Sequence, residues 1–145
     1  MNLYYELTTG CAPGPLPATL GVTDADVLTL LSARIAIGLW RSELDTGHMY
    51  FSRQTCRIFG LEETQAPVNL TSASHALHPE DAPVALELLE MASREKGSYQ
   101  AILRVLDAGQ RYKFVRIVGR YRSRADGVGE IIGICHDLPD EEPQP

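Results

Sequence analysis

Cysteine is scarce in this chain and badly placed for chemistry. Cys11, Cys56 and Cys135 are odd in number and lack the paired spacing of a zinc site or a disulfide framework, so a reducing, cytoplasmic setting is expected. Positive charge is also in deficit. Thirteen Lys and Arg stand against nineteen Asp and Glu, for a net charge of −6, whereas a nucleic-acid partner demands a basic footprint. No apolar run approaches the roughly 20 residues that span a bilayer. The opening MNLYYELTTG has no basic segment leading into an apolar one, so neither membrane insertion nor a signal peptide is expected. P-loops, nucleophile elbows and Gly-x-Gly-x-x-Gly junctions are missing too. With 44% hydrophobic residues in 145, the chain has enough apolar surface for one domain with a real core.

What is present is a succession of helical and strand-like patterns. Residues 1–22 contain GCAPGPLPATLG, too rich in Pro and Gly for a regular element, and read as a flexible or draped N-terminal arm. Leu3, Tyr4, Tyr5 and Leu7 are apolar enough to pack back on the domain. From Thr23, a Thr or Asp cap precedes Val27, Leu28, Leu31 and Ile35, predicting a helix over about 24–36. Its Val27–Leu31–Ile35 stripe is expected to pack on the sheet or on a second subunit. Two short apolar runs flank Asp45-Thr46-Gly47 as a hairpin. RQTCRIFGLE predicts a short helix closed by Gly60, and residues 62–71, with Pro67, a loop. In TSASHALH, Thr71 or Ser72 is the expected cap and Leu77 the inward anchor.

ALHPEDAP, residues 76–83, places a histidine, two carboxylates and two prolines together. Acid–base chemistry and a structural corner both suit it, and the following residues favour the corner. Val84, Leu88 and Met91 form an i, i+4, i+7 stripe, with Glu87, Glu90 and Arg94 opposite, so a helix is predicted over 82–96 with Gly97 as its stop. Asp81 then falls at the N-cap, its carboxylate free to accept orphan N–H groups, and Pro83 lies in the first turn. Three strand-like runs follow, SYQAILRVLD, RYKFVRIVGRYRSR and GEIIGICHDL. In the second, Val115, Ile117 and Tyr121 alternate with Arg116, Arg120 and Arg122. The remainder, 139–145, is an acidic, proline-punctuated tail expected to be disordered. The pattern predicts an α+β domain over 23–138: five antiparallel strands, helices on one face, and an added N-terminal helix.

Several residues now fall in the order and spacing of a known family. They are Gly38 and Trp40, Ser52, Ile58-Phe59-Gly60, His78-Pro79-Glu80-Asp81, Tyr99, Arg104, Asp107, Gly109, Phe114, Asp126, Gly127, Gly133 and Asp137-Leu138. Over 38–138 the chain resembles a PAS domain, of the subclass that carries a His-Pro-Glu-Asp corner before the long helix. That subclass more often has Trp where Phe114 stands. The resemblance implies a five-stranded sheet whose helices clasp one face around a small apolar pocket. It also implies a sensory, dimerisation or docking role beside histidine kinases, diguanylate cyclases and similar signalling proteins.

Haem-binding relatives take an axial histidine from the long helix, and 82–96 has none. His75 and His78, three apart, have a spacing two metal ligands could use, but a corner role for His78 is preferred, and His48 and His136 lie apart. Flavin-binding relatives carry an Asn-Cys-Arg-Phe stretch where this chain reads SASHALHPED, so no cofactor is expected. Trp40, Ile58, Leu77, Leu88 and Ile102 are the candidate pocket residues, with simple core filling as the competing role. Arg111, Lys113, Arg116, Arg120, Arg122 and Arg124 form a basic strand face that could dock an acidic surface or the acidic tail. The expectation is a non-enzymatic, single-domain PAS module that regulates a separate signalling protein such as a histidine kinase, with a homodimer possible. A sensor holding a small apolar ligand is the alternative. Pro139, which removes a backbone donor just after Asp137-Leu138, and the short polar remainder favour a stand-alone module.

Overall fold

Period-two alternation in the last third of the chain builds the centre of the sheet. The structure, a computed structural model, describes residues 14–107 and 109–139, and the backbone of 4–8. The expected disorder of the tail over 140–145, like Leu3 and Cys11, lies outside the described residues. Strands β5 (Ser98–Leu106), β6 (Tyr112–Ser123) and β7 (Gly129–Asp137) form an antiparallel meander. Val115 and Ile117 point into the core, while Arg116, Arg120 and Arg122 fall on the other face. Strand β2 (Gly38–Glu43) pairs with the far edge of β7, and the hairpin through Asp45-Thr46-Gly47 returns as β3 (His48–Phe51). Gly47 takes φ +73° there, the left-handed geometry a tight hairpin turn requires.

The five expected strands are the middle of a wider sheet. Strand β1 (Tyr4–Thr8) runs antiparallel to β5, with Tyr4 opposite Ile102, and the two-residue β4 (Val68–Asn69) pairs with β3. The order is β1-β5-β6-β7-β2-β3-β4, that is, six strands of four or more residues plus β4. The additions correct the five-strand expectation, and the reason is physical. An exposed edge leaves a row of backbone donors and acceptors unpaired, and β1 caps one such edge.

Helix α1 (Asp24–Ser32) opens on a capping box: the Asp26 N–H donates to Thr23 Oγ1 at 3.1 Å and the Thr23 N–H to Asp26 Oδ2 at 2.9 Å. It is shorter than expected and buries none of its residues, so its stripe does not pack on the sheet. Helices α2 (Arg53–Ile58), α3 (Leu70–Ser74) and α4 (Ala82–Glu95) lie on the inner face. Asn69 caps α3, its Oδ1 accepting from the Ser72 N–H at 2.7 Å, in place of the expected Thr71 or Ser72. Lys96, with φ +53°, and not Gly97, takes the left-handed turn that ends α4. The core between sheet and helices holds Trp40, Ile58, Phe59, Leu77, Leu88, Tyr99, Leu103, Val115 and Ile131.

Candidate functional site

The His78–Asp81 corner is a clasp. Asp81 stands at the N-cap position of α4 but has helical backbone angles, and its carboxylate caps nothing. It accepts instead from Arg104 three times: backbone N–H at 2.8 Å, Nε at 3.0 Å and Nη2 at 2.7 Å. A planar guanidinium fork matches both carboxylate oxygens, which diverts Asp81 from the helix N–H groups. This corrects the capping expectation. The His78 carbonyl accepts from the Asp81 and Ala82 N–H groups, so the turn itself satisfies two of the donors there. Burial pushes the Asp81 carboxyl up, but the Arg104 bonds outweigh it and hold the group below its ordinary value. His78 accepts from the Glu80 N–H through Nδ1 at 3.0 Å and tilts against Tyr112, 4.8 Å between ring centroids. The pieces that suggested acid–base chemistry thus tie the start of α4 to β5.

The other histidines are dispersed. His75 ends α3, His48 begins β3, and His136 sits on β7. Among the described residues no cluster of three His, Cys, Asp or Glu is close enough to hold a metal ion.

The chemistry of the inner face begins with a row of four residues across four strands. Trp40 on β2 lies opposite Gly133 on β7, which lies opposite Gly119 on β6, which lies opposite Tyr99 on β5. The two glycines leave room for the two rings to lie close against the sheet. A Cβ on Gly133 would come within 2.4 Å of the Trp40 indole, and one on Gly119 within 2.6 Å of the Tyr99 ring. The indole N–H donates to the Ile134 carbonyl at 3.2 Å, which fixes the Trp40 ring. Phe51 and Phe59 stack beside this floor at 5.6 Å.

Above the floor the helices leave a cavity of about 70 Å³. Its walls include Trp40, Met49, Phe51, Phe59, Tyr99, Leu103 and Ile117, and its roof Leu70, Ala73, Leu77, Ala85 and Leu89. Its half-buried lining residues include Leu70 and Ser74 of α3, Ala82 and Leu86 of α4, and Met49 and Phe51 of β3. Of the pocket residues expected from sequence, Trp40 and Leu77 line it. Ile58 and Leu88 pack in the core outside its lining. Ile102 is misplaced: β5 buries Tyr99, Ala101, Leu103 and Val105, so Ile102 has the opposite parity and falls on the outer face. The same alternation was available in SYQAILRVLD and picks out Tyr99 and Leu103.

Of the expected basic strand, Arg116, Arg120 and Arg122 fall on the outer face, whereas Lys113 shares the inward parity of Val115 and Ile117, and three of the six cations, Lys113, Arg122 and Arg124, are in ion pairs. Glu130, 2% exposed, accepts from Arg41 at 3.3 Å and from Arg122 Nε at 2.8 Å. Arg124 reaches Glu43, Asp45 and Asp126, and Lys113 reaches Asp137 at 3.1 Å. These pairs neutralise three of the six cations of the expected acid-docking surface. Between the ion pairs Leu39, Val118, Ile132 and Ile134 line a shallow apolar groove.

An antiparallel sheet with short helices closing an apolar cavity on one face is a recurrent α+β architecture. The sequence profile of the PAS fold matches residues 48–135, and the chain belongs to that family. Solved structures agree on the fold. A sensory box histidine kinase/response regulator from Burkholderia thailandensis aligns with TM-score 0.61 and 22% identity over 78% of this chain and 85% of its own. The N-terminal domain of a diguanylate cyclase with PAS/PAC sensor from Marinobacter aquaeolei gives 0.60 and 19%, over 70% and 94%. A PAS domain from Colwellia psychrerythraea gives 0.57 and 16%, over 80% and 100%. No curated protein matches by sequence. Among the described residues no helix is long and apolar enough to cross a membrane.

Proposed function

We propose that this PAS domain is a non-catalytic regulatory module that acts by protein–protein contact on a signalling protein such as a histidine kinase, with α1 as its docking element. The observation that carries this is the state of α1. Val27, Leu28, Leu30 and Leu31, with Ile35 just beyond, are all exposed, Leu30 by 66%. Large apolar side chains grouped on one helix mark a surface that a partner covers. The His-Pro-Glu-Asp corner also suits the subclass named above. The test is light scattering on wild type and Leu31→Asp, joined to affinity capture from the native cell. Self-association or a co-purifying kinase, lost in the variant, supports the proposal. A wild type that stays monomeric and captures nothing overturns it.

A second function is supported by the cavity itself: a sensor whose pocket holds a small apolar ligand and whose occupancy biases α3 and α4. Soaking the protein with xenon and following the Met49 methyl resonance checks that the cavity is open to an apolar guest.

A further inference from the structure

Two apolar surfaces of this chain are left uncovered, and each fits the other. The first is the stripe of α1. Asp24, Leu28, Leu31 and Ile35 follow at i, i+4, i+7 and i+11, which sets them on one line along the helix. The Ile35 N–H donates to the Leu31 carbonyl at 3.0 Å, so the winding persists to Ile35. Leu28, Leu31 and Ile35 are all exposed, and the exposed Asp24 heads the line at its N-terminal end.

The second is the groove on the outer face of the sheet. Leu39 on β2 lies opposite Ile134 on β7, which lies opposite Val118 on β6, so the three make one row across three strands. Leu39 is 48% exposed. In the next row Ile132 stands between Arg41 and Arg120. Arg41 is tied to Glu43 and Glu130, whereas Arg120 is exposed and, among the described residues, in no ion pair.

The surfaces agree in length and in charge. The helical rise from Leu28 to Ile35 is about 10 Å, and two strand spacings from Leu39 to Val118 also measure about 10 Å. With Ile35 over Leu39 and Leu28 over Val118, Asp24 comes to the β6 side of the groove, where Arg120 stands. Helix α1 contains no Lys or Arg that would oppose this arginine. Within one chain the two surfaces do not meet. Helix α1 buries none of its residues, and only Ala36 and Ile37 lie between Ile35 and Gly38, which is fixed opposite Cys135. That link reaches about 10 Å at full extension. A helix with its side chains is about 10–12 Å across, so little chain is left for folding α1 back over the neighbouring Leu39.

We propose that α1 of each copy seats in the outer-face groove of a second copy of this chain, with Leu28, Leu31 and Ile35 along the Leu39–Ile134–Val118 row and Asp24 paired with Arg120. This rests on the reading of α1 as a docking element and names what it docks on. A two-fold axis makes the contact reciprocal, so the same match of helix and groove is made twice.

The test is complementation between two variants. Leu31→Asp spoils the helix and keeps the groove, while Leu39→Asp spoils the groove and keeps the helix. Wild type should be dimeric by sedimentation. Each variant alone should dissociate at least about tenfold more readily, because a carboxylate enters both apolar contacts. Mixed together, the variants recover one intact contact of helix and groove. Native mass spectrometry with one variant isotope-labelled should then show the mixed pair about tenfold tighter than either variant with itself. Both side chains are exposed, so denaturation midpoints, taken at a concentration where wild type is monomeric, should match wild type. If the Leu39→Asp midpoint falls, Leu39→Gln takes its place in the same experiment. A Leu39→Asp dimer as tight as wild type overturns the groove as the seat of α1. Variants that both dissociate and fail to recover on mixing overturn the reciprocal contact. A wild type that stays monomeric overturns the second copy as partner, and the docking reading of α1 is then decided separately by affinity capture.

Discussion

Helices α1 and α4 carry the same signal in sequence and meet opposite fates. Each places apolar residues at i, i+4 and i+7 or i+8, behind an acidic or hydroxyl residue at its start. Yet α4 buries Leu88 and Ala92 completely, while α1 buries nothing. The difference lies in how the ends are held. Helix α4 is tied at its start by the Asp81–Arg104 clasp, and just past its end the Gly97 carbonyl accepts from the Tyr121 N–H at 2.9 Å. Helix α1 is held by its own capping box and, among the described residues, by no comparable long-range clasp. Periodicity reports that a helix has an apolar side. It does not report what that side meets.

The sharpest way to break the comparison is to shorten equivalent leucines. Leu88→Ala should cost about 3 kcal/mol by urea denaturation, since a fully buried leucine leaves a cavity the core closes only in part. Leu31→Ala should move the midpoint by less than about 0.5 kcal/mol, as exposed positions do. Comparable losses at both sites would mean that α1 has a partner within the domain.

The clasp is next in size. Asp81→Ala should cost about 2–3 kcal/mol, below the ~3–5 kcal/mol of a fully buried pair because Arg104 keeps access to water. That exceeds the ~1 kcal/mol expected of a lost N-cap, so the measurement separates the two roles. The pH dependence has a definite sign. The folded-state Asp81 carboxyl lies below its ordinary 3.8, so its contribution is complete above 3.8 and disappears as pH falls through the lower folded value. The stability gap between wild type and Asp81→Asn should therefore close under acid titration. A gap that stays constant down to the acid transition would remove Arg104 as the cause.

What was legible in the sequence follows the same division. Strand parity, the hairpin at Asp45-Thr46-Gly47, the position of α4 and the inward set of β6 are local patterns, and each appears where the sequence places it. The partner of Asp81 was not legible, because Arg104 is 23 residues away and comes within reach only when β5 folds under α4. A cap is the default role for Asp before a helix, and here a bidentate partner displaced it. Ile102 differs from its pocket expectation for another reason. Its hydrophobicity suits a pocket, but its parity with Gln100 and Arg104 sets it on the outer face. The cavity floor depends on Gly119 and Gly133 lying side by side under two rings from other strands. Such a four-strand register exists only in the sheet. Strand β1 was hidden by the Pro- and Gly-rich segment behind it, although Tyr4–Thr8 has the aromatic and β-branched character of a strand.

The smallest expected effect is the most specific to α1. Thr23→Ala removes the hydroxyl that receives the Asp26 N–H and keeps the backbone N–H that donates to the Asp26 carboxylate, so half of the capping box is lost. A lost cap weakens a helix by about 1 kcal/mol. If α1 opens independently of the core, that loss stays local. Amide hydrogen exchange at Val27–Leu31 should speed up by roughly fivefold, with exchange in β6 and β7 unchanged and the urea midpoint within about 0.5 kcal/mol of wild type. The corresponding change at the other helix has a different outcome, because loosening the start of α4 releases the clasp and lowers the global midpoint. A Thr23→Ala midpoint that falls by the full ~1 kcal/mol of the cap would place α1 inside the cooperative unit of the domain. An exposed helix that unfolds on its own can be ordered by whatever covers it, so local opening at Val27–Leu31 is the behaviour that a docking element requires.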